Sequence, residues 1–224
     1  MPEEAVFPLG TAYLPGDFVA LNIFESRYVQ LLIDVMAQRR SFVSVLIERG
    51  SEVGGGDRRH DHGVEVIVDT VAEQDSQYLV TGRATFPCSI AHWLGDDPYP
   101  RAEVQPQVYE ALRESQKFDV ASSLSLLAQN IRSIDVSLSS ETTAHRSSSD
   151  SASGLATIAA GRWWDQRVEE SELWQAFWLL ARSLPCGPFD RYALLTPGPL
   201  DLRVKRLKQA VEHVHEVMSF RFEH

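Results

Sequence analysis

Arg58-Arg59-His60-Asp61-His62-Gly63 follows three consecutive glycines, Gly54-Gly55-Gly56. A His-x-His pair on a loop can hold zinc or nickel, but such a site needs a third and usually a fourth ligand. The sequence places none, so a solvated loop is expected here, and no metal. His213 and His215 stand two apart in a helical pattern. They diverge by about 200° and do not face one ion. A serine hydrolase needs Gly-x-Ser-x-Gly or a comparable nucleophile turn. Neither Gly50-Ser51-Glu52 nor Ser151-Ala152-Ser153-Gly154 supplies it. His-Glu-x-x-His is absent, and so is the phosphate cradle Gly-x-x-x-x-Gly-Lys-[Ser/Thr]. The chain has three lysines, Lys117, Lys205 and Lys208, none in a recognisable peptidase setting. No catalytic residue and no cofactor is assigned.

Other charged and aromatic residues suit binding or structure. Asn22 and Glu25 are three apart just before a helical pattern, the spacing of a capping box worth about 1 kcal/mol. On a wheel of 100° per residue, Glu25 falls about 70° to one side of the apolar stripe, and Arg27 about 90° to the other, near Asp34. Asn22, Glu25, Arg27 and Tyr28 therefore read as a structural motif. Trp163 and Trp164 are adjacent, so one can be buried while the other meets a partner segment. Trp93 and Tyr99 flank Leu94-Gly95-Asp96-Asp97-Pro98 and could border a groove between the two halves of the chain. These four aromatics are the candidate binding residues.

Charge narrows the partners. The chain carries 21 basic and 31 acidic side chains, a net charge of −10. Residues 1–105 hold 8 basic and 16 acidic groups, net −8, whereas residues 106–224 hold 13 and 15, net −2. A non-specific grip on nucleic acid or on an anionic membrane is disfavoured. No run approaches the roughly 20 apolar residues of a membrane span. The start, Met1-Pro2-Glu3-Glu4, lacks the basic region of a signal peptide. Cys88 and Cys186 lie far apart in no ligand spacing, as expected of thiols in a reducing compartment. The expected location is the cytoplasm.

Two groups of elements must position these residues. Residues 18–21, 41–48, 63–71, 77–82 and 86–94 are short runs rich in β-branched and aromatic residues. Turn residues at Pro15-Gly16, Gly54–Gly56 and Asp96–Pro98 separate them. One helix interrupts, with Phe24, Tyr28, Leu31, Leu32 and Val35 on one face. Residues 1–105 are expected to form a small curved, barrel-like β domain. Residues 106–224 read as a helical bundle. Val120, Leu124, Leu127, Ile131, Ile134 and Leu138 make one seam over 118–139. Leu200, Val204, Leu207, Val211, Val214 and Met218 make another over 201–220. A third helix is expected over about 171–184, inward at Leu173, Phe177, Leu180 and Leu184, and stopped by Pro185. Seven serines among residues 139–153 suggest a mobile loop. The fold class is α+β.

An ordered set of motifs then carries a resemblance: FPL (7–9), LPG (14–16), L-x-IFE-x-RY (21–28), IERGSEVGG (47–55), TGRATF (81–86) and DDPYPRAEV (96–104). Together they resemble the N-terminal, substrate-binding domain family of the Lon protease. LARSLP (180–185), DRYALLTP (190–197) and RVKRLKQAVEHV (203–214) extend the likeness more weakly. The resemblance implies a curved pseudo-barrel followed by a helical bundle. It also implies a non-enzymatic module that recognises unfolded or partly folded protein segments, similar to stand-alone members without ATPase and peptidase modules. Such a module would act as an adaptor in protein quality control, beside a protease supplied by another gene. The alternative is a small-molecule or RNA-binding barrel, since the family's β half resembles pseudouridine-synthase-associated RNA-binding domains in shape.

Overall fold

The structure is a computed structural model that describes residues 1–75, 77–139, 149–160 and 168–222. It divides into two units, Met1–Val108 with Arg191–Pro197, and Tyr109–Asp190 with Gly198–His224.

The first unit is built on six strands, β1 (Glu3–Leu9), β2 (Phe18–Ile23), β3 (Ser41–Arg49), β4 (Arg58–Gln74), β5 (Gln77–Trp93) and β6 (Arg101–Pro106), with helix α1 (Ser26–Ala37) after β2. The sheet order is β2-β5-β4-β3-β1-β6, and β5 also pairs with β6. That extra pairing closes five strands into a barrel. β5 achieves this by serving two partners in turn. Its first part, Tyr78–Arg83, pairs with β2, and its last part, Cys88–Trp93, pairs with β6. β1 runs parallel to β3, and the other pairings are antiparallel.

The apolar alternation explains why the sheet closes. Val6, Val43, Val45, Cys88, Ala102 and Val104 pack as one buried cluster. Phe7, Phe42, Val64, Val66 and Val68 join Tyr28, Leu31, Leu32 and Val35 of α1 in a second. Consecutive residues of β3 thus face opposite clusters, and Ser41–Ile47 is buried throughout. Phe7 stacks on Tyr28 with ring centroids 4.1 Å apart. Each buried leucine or valine of α1 contributes about 1.5–3 kcal/mol.

The Tyr28 hydroxyl is buried without a hydrogen-bond partner among the described residues. Burial raises its pKa to about 12. Burial also raises Tyr99 to about 12, helped by the hydrogen bond its hydroxyl donates to Asp34 Oδ2 at 2.7 Å. Both groups hold their protons more tightly folded than unfolded, where a tyrosine titrates near 10. Their contribution to stability is complete below about pH 10 and is lost as pH rises through about 12. In an alkaline titration followed by tyrosinate absorbance, Tyr28 and Tyr99 should ionise last, together with the loss of the folded circular-dichroism signal. A single step near pH 10 with the fold intact would contradict this.

The second unit contains α2 (Glu114–Ser139), α3 (Ser149–Ala159), α4 (Glu170–Ser183), the first residues of α5 (Pro188–Leu195), and α6 (Leu200–Phe222). The expected seams are buried at Val120, Leu124, Leu127, Ile131 and Ile134 on α2, and at Leu200, Val204, Leu207, Val211 and Val214 on α6, whereas Met218 is half-buried and the Leu138 side chain lies outside what is described. Acidic residues at the start of α4 favour its N-terminus. There the Glu169 N–H donates to Glu172 Oε2 at 3.0 Å. The serine-rich stretch is not a loop throughout, because α3 already begins at Ser149. Residues 140–148 lie outside the described residues.

Candidate peptide-recognition face

β2 is the strand that the closed barrel leaves at an edge. Among the described residues its backbone ladder runs only to β5, from Phe18↔Arg83 to Ile23↔Tyr78. Every other residue of an antiparallel edge strand turns its N–H and C=O away from its neighbour. Alternation in F-V-A-L-N-I-F buries Val19 and Ile23 and leaves Phe18, Ala20, Asn22 and Phe24 exposed. Phe18 is 65% and Phe24 55% exposed. Phe18 and Phe24 bracket the strand six residues apart, about 20 Å of backbone at the rise of an extended chain. Across the sheet, Phe18 and Ile67 both align with Arg83, and Ile67, Leu79 and Phe86 are also exposed. Natural edge strands are usually guarded by charge, proline or a bulge. No residue of Phe18–Ile23 is charged or proline.

Both ends of β2 are fastened. Before it, Asp17 Oδ2 accepts from the Leu14 N–H at 2.7 Å and from the Arg191 guanidinium. Arg191 Nε also donates to the Ala12 carbonyl at 2.8 Å. After it, Arg27 Nε pairs with Glu25 Oε2 at 3.2 Å, and Arg27 lies over the Tyr28 ring at 4.4 Å. The other end of the Arg27 guanidinium donates to the Glu52 carbonyl, and Glu25 accepts from the Gly54 N–H. Glycine is required in that loop, since Gly54, Gly55 and Gly56 have φ of 97°, 78° and 75°.

This arrangement corrects the expected capping box. Asn22 belongs to β2, and its side-chain amide donates across the ladder to Gln77 Oε1 at 2.6 Å. Glu25 is the extended N-cap residue and makes no side-chain cap. Helical-wheel angles do not apply to a residue in extended backbone, so Glu25 and Arg27 meet each other instead of lying on opposite flanks. Asp34 accepts from Gln30 and Tyr99 rather than lying beside Arg27. Phe24 precedes the helix and is exposed, not part of its buried stripe.

Of the four candidate aromatics, only Trp93 and Tyr99 fall among the described residues, and Trp163 and Trp164 lie outside them. Trp93 and Tyr99 both belong to the β unit and line different hollows. Tyr99 borders one of about 260 Å3 with Asp34, Arg39 and Arg101. Trp93 borders one of about 420 Å3 with Arg59, Asp61 and Tyr192. Its indole N–H donates to Asp61 Oδ1 at 3.0 Å, and Arg59 lies over its ring at 5.2 Å. Burial opposes the Arg59 charge, but hydrogen bonds to Asp96 and Asp57 prevail and raise its pKa. His60 and His62 stand on β4, not on a loop, so their i, i+2 spacing puts both on one face. His60 stacks on Tyr192 at 4.0 Å, and His62 Nδ1 meets Ser89 Oγ at 3.2 Å.

The fold and this face invite comparison with known proteins. A family model described as the ATP-dependent protease La (LON) substrate-binding domain matches residues 4–213. The chain belongs to the LON substrate-binding domain family. No curated protein matches the chain significantly. A Lon N-terminal domain protein from Xanthomonas campestris is similar in fold, with a TM-score of 0.59 at 21% identity, covering 93% of this chain and 98% of that one. The N-terminal domain of the Mycobacterium avium complex Lon protease has a TM-score of 0.52 at 15% identity, covering 94% and 98%. At these identities the likeness is one of fold, α+β with a closed N-terminal sheet and C-terminal helices. Sequence reasoning placed the family on its motifs but missed Phe18 and Phe24 as a pair. The signal was the period-two alternation continuing from Phe18 through Phe24.

Proposed function

We propose that this LON substrate-binding domain protein is a non-enzymatic module that recognises unfolded or partly folded protein by pairing an extended segment with the β2 edge. The observation that carries the reading is the unguarded edge itself, fastened at both ends and bracketed by Phe18 and Phe24. Main-chain hydrogen bonds would supply affinity for many sequences, and the two phenyl rings would favour apolar side chains at the flanks. The family to which the chain belongs supports a substrate-recognition role. A net charge of −10 supports protein over RNA as the partner. Among the described residues, no helix is long and apolar enough to cross a membrane. The buried Cys88 thiol, outside any disulfide, fits a reducing cytoplasm. In this reading the module works as an adaptor in protein quality control.

The test is fluorescence anisotropy with a labelled, extended apolar peptide. Phe18→Asp should weaken binding about tenfold or more, the equivalent of about 1.4 kcal/mol. Methylating the backbone nitrogens on one edge of the peptide should abolish binding, while methylation on the opposite edge should not. Equal binding by all these peptides would reject edge pairing.

A further inference from the structure

A second surface lies wholly within the helical unit. A groove of about 530 Å3 runs between α2 and α6, bounded by Gln116 to Asn130 on one wall and Asp201 to His215 on the other. Each wall spans 14 residue steps (130 − 116 and 215 − 201). That is about 21 Å at the helical rise, so the helices flank the groove over equal lengths. Its floor is apolar, formed by Val120, Leu127, Val204 and Val211, all buried. On its rim Leu126 is 58% exposed.

The kind of partner follows from the walls. Helix interiors have spent their backbone N–H and C=O groups on their own i→i−4 bonds, so this groove cannot pair with an extended strand. It suits an occupant whose backbone is already satisfied and whose side chains reach the floor, which describes a helix. The rim charges set its flanks. Two of the chain's three lysines, Lys205 and Lys208, stand on the α6 wall. Lys205 makes no ion pair among the described residues, and Lys208 reaches Glu212 only at 3.9 Å, with both side chains mostly exposed. The α2 wall presents Asp119, and Asp201 and Glu212 stand toward the two ends of the α6 wall, so the positive charge is confined to the turn Lys205–Lys208 at its middle.

We propose that the α2–α6 groove binds one amphipathic α-helix of a partner protein, about four turns long. Its apolar residues at i, i+3/i+4 and i+7 meet the floor, acidic residues face Lys205 and Lys208, and basic residues face Asp119. This site is separate from the β2 edge and takes a partner in a different conformation.

The experiment uses the whole chain and a labelled model peptide of about 16 residues (about four turns) with a leucine stripe and glutamates on one flank. A scrambled peptide of identical composition and a peptide with lysines in place of the glutamates are the controls. The striped acidic peptide should bind at least tenfold more tightly than the scrambled one. Leu126→Glu, at an exposed position, should weaken it tenfold or more without shifting thermal unfolding. Lys205→Glu with Lys208→Glu should weaken the acidic peptide and strengthen the lysine-flanked one. Phe18→Asp should leave all of this unchanged, which separates the proposal from edge pairing. Equal binding of striped and scrambled peptides overturns it. So does concentration-dependent self-association that Leu126→Glu abolishes, because a second copy would then be the occupant.

Discussion

Gly63→Ala should cost about 3 kcal/mol or more of folding stability, measured by urea unfolding. Gly63 sits in β4 between two neighbours, Val45 of β3 and Cys88 of β5. A Cβ added there would lie 2.2 Å from the Ser44 carbonyl oxygen and 2.9 Å from Val45 Cγ1. The first of these is backbone, pinned in the ladder, and cannot rotate away as a side chain could. Relief requires parting β3 from β4 beside the bulges that follow Val45 and Val64. Gly82→Ala meets the same obstacle, since its Cβ would lie 2.4 Å from the Ile67 carbonyl oxygen. Gly95→Ala is the control. Nothing lies within 4 Å of its Cβ position, and its change should stay within about 0.5 kcal/mol. Equal stability of the Gly63 and Gly95 variants would refute the close-approach argument.

Arg203→Ala should cost about 3–5 kcal/mol, read by denaturant unfolding with tryptophan fluorescence. Arg203 is only 1% exposed. Its guanidinium lies 5.4 Å from the Trp174 ring and 5.5 Å from the Trp178 ring. Its Nε donates to the Gly198 carbonyl at 3.1 Å. Burial lowers its pKa to about 10, with Arg206 adding like-charge repulsion. Tyr109 stacks on Trp174 at 3.9 Å and accepts from the Trp178 indole N–H at 3.2 Å. Truncation to alanine would leave a void against two indoles and an unmet carbonyl. Arg203→Met fills most of that volume without a buried charge and should cost clearly less. Arg203→Lys loses the planar group that stacks on the rings and should fall between them. If alanine and methionine cost the same, packing against the indoles is not what Arg203 provides.

Sequence reading succeeded where periodicity reported burial directly. The α2 seam through Ile134, the α6 seam through Val214 and the inward face of α4 are buried as their three- and four-residue steps required. It failed where pairing overrides composition. β1 contains Pro8, which argues against a strand in a sheet interior. Pro8 falls beyond the last β1–β6 pair at Ala5, where only β3 has to be satisfied. β6 is short, charged at alternate positions and surrounded by prolines, so it carries little strand signal alone. β5 read as two pieces around Gly82-Arg83-Ala84-Thr85, yet it is one strand of 17 residues. Glycine there answers the nearby Ile67 carbonyl rather than a turn. Asn22 and Glu25 had the spacing of a cap, but β2 extends through Ile23 and takes Asn22 into its ladder. Arg203 was hidden because a buried arginine in a helix reads as a solvated face.

The return of Arg191–Pro197 to the first unit has a consequence for how this polypeptide is made. That segment supplies Arg191 to Asp17 and Tyr192 to His60, and Gln107 donates to the Leu195 carbonyl at 2.8 Å. During synthesis the barrel emerges first but lacks these contacts until more than eighty further residues have been added. A ribosome halted shortly after Val108 would therefore display a nascent barrel with a loose β2 start and an uncovered His60. A fragment cut at that point would behave as an unfinished unit, whereas expression through Pro197 would bring the missing side chains.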